Sequence, residues 1–336
     1  EDDFAPSAGS ANFTRYIATG NSLTAGFQDG GLYREGQLSS YPALLAQQFQ
    51  RAGGGEFAQP LFTEAQRNGS GYLRLAGFSA TGAPITAPVT SELAIRGISP
   101  TLYTRFDGRV DNLGVPGIRL SDIQTPGYGS TQGNPYFERI TPAASALQSY
   151  FQRVKAEAAT ATFFTNWLGN NDVLGYALDG GVVAANNSNA ITRTDTFTLK
   201  NNRLINVLTA SGAKGVVATI PDVTTIPYFT TVRVADIRAR FKAANPALDV
   251  YIQTTGTGGT QVVRLATDAD LLTLPSSAVI GTTSSTSPFP VGAGLSAAAN
   301  NPVPNRFVLD AAEQTAVRTA TTAFNTAIVN KANEKG

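Results

Sequence analysis

The sequence predicts an α/β protein built on a doubly wound parallel sheet, in three α/β/α layers. Three observations carry the prediction. Four short β-prone runs alternate with segments of helical period. The run at 214–220 is nearly continuous in apolar and β-branched residues, as a strand covered on both faces would be. Each of the first three runs breaks into Gly-, Asn- or Pro-bearing sequence, and such sheets place ligands at the ends of their strands. With 336 residues, 42% hydrophobic and 15% charged, the chain can bury a stable core without covalent staples.

In chain order, residues 1–11 (EDDFAPSAGSA) lack any apolar period and read as a flexible tether, leaving 12–336 as one domain. FTRYIATG (13–20) is the first strand, and YPALLAQQFQRAG (41–53) is a helix with apolar residues at 44, 45 and 49, stopped by Gly53. Residues 54–109, rich in Gly, Thr, Pro and Ser, read as an insertion of hairpins and loops. RVDNLGVPG (109–117) is a short strand running into a Gly/Pro turn. A helix is expected over 141–159 from apolar positions 147, 151 and 154, followed by a buried strand in TATFFTNWLGNND (160–172). Leu204, Val207 and Leu208 mark a helix over 200–212, and KGVVATIPDV (214–223) holds the fourth strand. Residues 224–305, polar and low in complexity, read as a second insertion. Asp310 and Glu313 form a capping box for a last helix, with Val317, Ala320, Phe324 and Ile328 along one face. A right-handed crossover after such a helix normally returns the chain to the sheet, so one more strand is expected to belong to the fold.

Composition narrows the function. Lys and Arg total 25 against 24 Asp and Glu, a net charge of +1, which provides no basic field for a nucleic acid. No run of about 18 apolar residues is present to cross a bilayer. The absence of Cys removes disulfides, thiolate metal sites and cysteine nucleophiles, and the absence of His removes the usual general base. A chain without Met that starts at Glu1 is expected to derive from a longer precursor, and export is one route to that.

Three strand ends hold candidate chemistry. Gly20-Asn21-Ser22-Leu23-Thr24-Ala25-Gly26 places a hydroxyl in a Gly-flanked turn. Asn112-Leu113-Gly114-Val115-Pro116-Gly117 leaves backbone N–H groups free of a neighbouring Cβ. Gly169-Asn170-Asn171-Asp172 puts an Asn amide where it can donate to a developing oxyanion. Taken singly, each reads more readily as a turn or a helix cap than as a site. Their occurrence in order, at successive strand ends, points to one shared edge.

Together these blocks resemble the SGNH (GDSL-type) hydrolases, in the secreted or lipoprotein branch of Bacteroidetes-like bacteria. YIATGNSLTAGF is similar to that family's first block, NLGVPG to its second and WLGNND to its third, and the resemblance runs from about residue 12 to the end. It implies a serine esterase or lipase acting on acyl esters, lipid- or carbohydrate-linked. Ser22 would be the nucleophile, and the Ser22 and Gly114 N–H groups with the Asn171 amide would be the oxyanion donors. It further implies no cofactor, and attachment to a membrane surface through a lipid anchor upstream of Glu1, at the outer membrane or cell surface, or release into the periplasm or exterior. Two positions depart from the pattern. Asn21 stands where the family commonly has Asp, and the family's closing Asp-x-x-His block has no counterpart in these 336 residues. The expected continuation is a fifth strand followed by that block. The alternative is a catalytically silent surface protein that keeps the fold as a binding module.

Other motifs are weaker. Gly292-Ala293-Gly294-Leu295-Ser296-Ala297 follows Pro-Phe-Pro, where a dinucleotide fingerprint needs a strand. Gly77-Phe78-Ser79-Ala80-Thr81 lacks the closing Gly of a nucleophile elbow. Asp268 and Asp270 lack the Gly and Glu of a calcium loop, so no metal is expected.

Overall fold

A computed structural model describes residues 6–78 and 84–336. The expected tether at 1–11 and the elbow-like Gly77–Thr81 therefore lie partly outside the described residues.

The protein is mixed α/β and divides into two compact units. The first comprises residues 1–171, 195–219 and 326–336, and the second 172–194 and 220–325. The sequence reads as a single domain carrying two insertions, at 54–109 and 224–305.

In the first unit, β1 (Tyr16–Gly20), β2 (Asn112–Gly114), β3 (Phe163–Trp167) and β4 (Lys214–Val217) form one parallel sheet in the order β2-β1-β3-β4. All four expected strands are in it. The chain steps from β1 to β2 on one side and then to β3 on the other, so strand order reverses around β1. Every residue of β1 is buried, which is why YIATG carries no charge on either face. On one face Tyr16, Ala18 and Phe163 cluster with Ala46 of the helix α2 (Tyr41–Arg51), and Phe13 stacks on Phe49 at 4.1 Å. Burying a large side chain as completely as Tyr16 contributes on the order of 1.5–3 kcal/mol. The helix α3 (Tyr150–Ala158) lies against β1 and buries Tyr150, Val154 and Ala158. The helix expected over 141–159 starts only at Tyr150, because Ser149 and Gln152 close a capping box there while 143–145 form a single 3₁₀ turn.

The fourth strand departs from expectation in length and burial. It ends at Val217, and Lys214, Gly215 and Val216 are exposed, Val216 by 57%. The strand lies at the sheet margin, paired only with β3 among the described residues, so its β-branched run reflects strand propensity rather than cover on both faces. The expected insertion at 54–109 does contain two hairpins, Tyr72–Phe78 with Pro84–Val89 and Ile95–Ile98 with Thr101–Tyr103.

Within 224–305, expected as a second insertion, the second unit builds a core of its own. The helix α6 (Val234–Ala244) buries Val234, Ile237 and Phe241 against Val250 and Ile252 of β5 (Asp249–Thr255). The strand β5 pairs antiparallel with β6 (Gln261–Leu265) and with β7 (Ala293–Ser296), which pairs in turn with β8 (Ala299–Asn300). The Gly292–Ala297 motif is therefore strand rather than a phosphate loop. Between the third and fourth strands of the first sheet lie α4 (Asn171–Leu178) and α5 (Thr194–Leu208), and α7 (Ala311–Glu334) closes the chain. The predicted capping box holds α7: Asp310 accepts from the Glu313 N–H and Glu313 from the Asp310 N–H, at 2.9 and 2.8 Å. No described helix is long and apolar enough to cross a membrane.

Candidate active site

The parallel register sets the site. Gly20 ends β1 opposite Gly114 at the end of β2 and Trp167 at the end of β3. Ser22 past β1, Gly114 at the last position of β2 and Asn171 past β3 accordingly lie at one edge of the sheet, at the point where strand order reverses. That is where open α/β sheets hold their ligands.

Ser22 opens a four-residue helix, α1 (Ser22–Ala25). Asn21 caps it, its side chain accepting from the Leu23 N–H at 3.1 Å, so Asn21 is structural. Ser22 itself is partly exposed, and neither its hydroxyl nor its N–H has a hydrogen-bond partner among the described residues. First-turn N–H groups have no partner within their own helix, so this one is free to donate outward.

Gly114 meets that helix closely. A Cβ at position 114 would lie 2.3 Å from the Ala25 nitrogen and 2.6 Å from the Thr24 carbonyl carbon, so glycine is the residue that permits the approach. Gly20 is constrained in the same way, since a Cβ there would fall 1.8 Å from Thr24 Oγ1. The Gly114 N–H donates to Asn112 Oδ1 at 3.0 Å, a partner the sequence does not suggest.

Asn171 is the first residue of α4, and its amide donates one hydrogen to the Ile118 carbonyl at 2.8 Å. Ile118 lies just past β2, so this bond ties the third strand end to the second. An Asn amide has two hydrogens, and the second remains available.

Two further residues hold the edge together. Tyr150, fully buried, donates to the Leu113 carbonyl at 2.8 Å and accepts from the Gly20 N–H at 3.2 Å, pinning the ends of β1 and β2. Burial drives its phenol well above the ordinary tyrosine range, so it stays protonated. Asn112, 3% exposed, donates to the Thr24 carbonyl at 3.0 Å and to Gln59 Oε1 at 3.2 Å. Asn112 lies inside the second block, but its position in the sequence reads as an ordinary strand residue. Tyr150 reads as an apolar helix position.

An apolar cavity of about 450 Å³ opens on the sheet face beside β3 and β4, lined by Tyr41, Leu45, Phe49, Phe163, Trp167 and Val216 among others. No group of three or more acidic, His or Cys residues is placed to hold a metal among the described residues. Asp268 pairs with Arg238, and Asp270 with Arg264. Comparisons with the families of known proteins, with curated proteins and with solved structures gave no match.

Proposed function

We propose that this chain carries most of a serine esterase site of the SGNH (GDSL) type, on a three-layer doubly wound α/β fold. The supporting observation is that Ser22, Gly114 and Asn171 lie at the ends of three adjacent parallel strands at the reversal of strand order, with the Ser22 N–H and one Asn171 hydrogen unspent.

In this reading Ser22 Oγ attacks the carbonyl carbon of an acyl ester while a base takes its proton. The tetrahedral oxyanion receives the Ser22 N–H, the Asn171 amide and the Gly114 N–H. Collapse of the intermediate expels the alcohol, which takes up the proton, and leaves an acyl-Ser22 that water hydrolyses to the free acid. The base is not among these residues. Free carboxylates have pKa values of about 4 and free amines of about 10, poorly matched to proton transfer at about pH 7, and Glu313, which burial pushes up to about 7, is committed to capping α7. These 336 residues contain no His, so in this reading the base is an imidazole supplied from outside them. The unpaired margin of β4 and the apolar cavity beside it are a suitable seat for the polypeptide that supplies it. Export and a lipid anchor ahead of Glu1 belong to the same proposal.

The second reading, a silent binding module, is favoured by one observation: the Gly114 N–H is already occupied by Asn112. A fluorophosphonate probe applied to the protein as its own cell produces it separates the two. Labelling of Ser22, lost in Ser22→Ala, supports the esterase, and an unlabelled folded protein supports the silent module.

A further inference from the structure

We propose that the first unit holds one chloride ion in a small cavity beside the guanidinium of Arg139. The inference does not depend on the esterase reading. Arg139 lies on the short helix Pro135–Ile140 and is 3% exposed. Its two Nη groups donate to the Pro60 and Leu61 carbonyls at 2.7 and 3.0 Å, and the guanidinium sits 4.1 Å from the centroid of the Phe62 ring. These partners are neutral. Arg139 forms no ion pair among the described residues, and burial pulls its guanidinium down to about 10 with no neighbouring charge acting against it. The adjacent carboxylate, Glu138, is held by two other arginines, Arg96 and Arg105, which leaves three guanidinium groups to one carboxylate among these four residues. A buried charge without a counter-charge is destabilising.

The cavity is lined by donors that the protein leaves unspent. Arg139 shares it with Gln59 and Tyr136. The Arg139 Nε–H has no hydrogen-bond partner among the described residues. Gln59 Oε1 accepts from Ser40 and Asn112, so its Nε2 keeps two hydrogens to donate, and the Tyr136 hydroxyl accepts from Tyr103 at 3.4 Å and keeps its own. The side-chain acceptors beside them, Gln37 Oε1 and Asn112 Oδ1, are taken by the Phe62 and Gly114 N–H groups. Unspent donors, a net positive charge and committed acceptors select an anion over a cation. Size then selects among anions. The cavity offers about 10 Å³ to the centre of an occupant, room for one particle near the size of water, so chloride is admitted and phosphate or sulfate is not. Held there, the ion bridges the short helix to the 59–62 segment and completes the charge balance of this core.

Thermal melting of the 336-residue chain at constant ionic strength tests this, with chloride replacing gluconate, an anion too large for the cavity. Raising chloride from about 2 to about 200 mM should raise the melting temperature by about 2 °C or more, and bromide should do the same. Gln59→Glu places a carboxylate at the cavity, and this variant should melt at one temperature whatever the chloride concentration. Arg139→Met removes the charge and should lose the dependence as well. In crystals grown in bromide, an anomalous peak should lie within hydrogen-bonding reach of Arg139 Nε. A wild-type melting temperature indifferent to chloride, a dependence retained in either variant, or a cavity holding only water in the bromide crystals overturns the proposal. Should either variant fail to fold, the wild-type bromide crystals decide it.

Discussion

The strand ends of the first unit and the ion pairs of the second handle polar groups in opposite ways. In the second unit the charges are committed to one another. Arg264 grips Asp270 through two bonds of 2.6 and 2.8 Å, and Asp270 also accepts from Thr267. Arg238 bridges Asp249 and Asp268, and Asp310 and Glu313 cap α7 reciprocally. In the first unit the strand ends hold donors in reserve, at the Ser22 N–H and the second hydrogen of Asn171. Unspent donors add nothing to stability, since a folded chain gains from hydrogen bonds it completes. The difference separates residues that hold the fold from residues positioned for something outside it, and it can be tested by substitution.

The largest effect is expected at Ser22. Ser22→Ala should abolish fluorophosphonate labelling and lower ester turnover on the order of 10⁴-fold or more in the form that carries its base, with the melting temperature unchanged. A loss of stability as large as the loss of activity would erase the distinction between the units. Gly114→Ala is the mixed case. Its Cβ must displace the backbone of α1, so destabilisation of about 3 kcal/mol or more is expected in denaturant unfolding, with labelling lost alongside. Asn171→Ala should cost on the order of 10²–10³ in turnover, as loss of one oxyanion donor does elsewhere. A change below about threefold would remove Asn171 from the donor set.

The second unit should answer through stability and pH. Burial pushes Glu313 up to about 7, with the Asp310 charge adding to the rise. Its folded-state pKa lies above its unfolded value, so its contribution is complete below about 4.5 and is lost as pH rises through 7. That slope amounts to on the order of 3 kcal/mol at most, and Glu313→Gln, which keeps the capping bond, should flatten it in pH-dependent melts. Asp270 runs the other way. Burial raises it, but the Arg264 and Thr267 bonds outweigh burial and hold it below the ordinary Asp value. Its contribution is present above about pH 4 and lost as pH falls below that, so the two groups together should make stability peak in mildly acid solution. The smallest effect is expected at Val216, where Val216→Thr on the exposed margin of β4 should shift stability by less than about 0.5 kcal/mol.

What the sequence determined by itself was local. Tyr16–Gly20 and Phe163–Trp167 are strands because short β-prone runs end in turn residues, and α7 begins where it does because Asp310 and Glu313 are three residues apart. The three strand ends bearing Ser22, Gly114 and Asn171 were legible for the same reason, since each is a contiguous block. Tertiary structure decided what depends on partners distant in the chain. Val216 is exposed because β4 took the margin of the sheet, which no property of KGVV specifies. Residues 224–305 build a core because Val234, Ile237 and Phe241 find Val250 and Ile252, a pattern diluted in sequence by the Thr, Ser and Gly around it. Asn112 became a clamp because β2 lies beside β1 in a register that sets its amide against Thr24, 88 residues away. Periodicity and capping act over a few residues and can be read along the chain, whereas strand order, burial and side-chain hydrogen bonds across the sheet exist only once the chain has closed on itself.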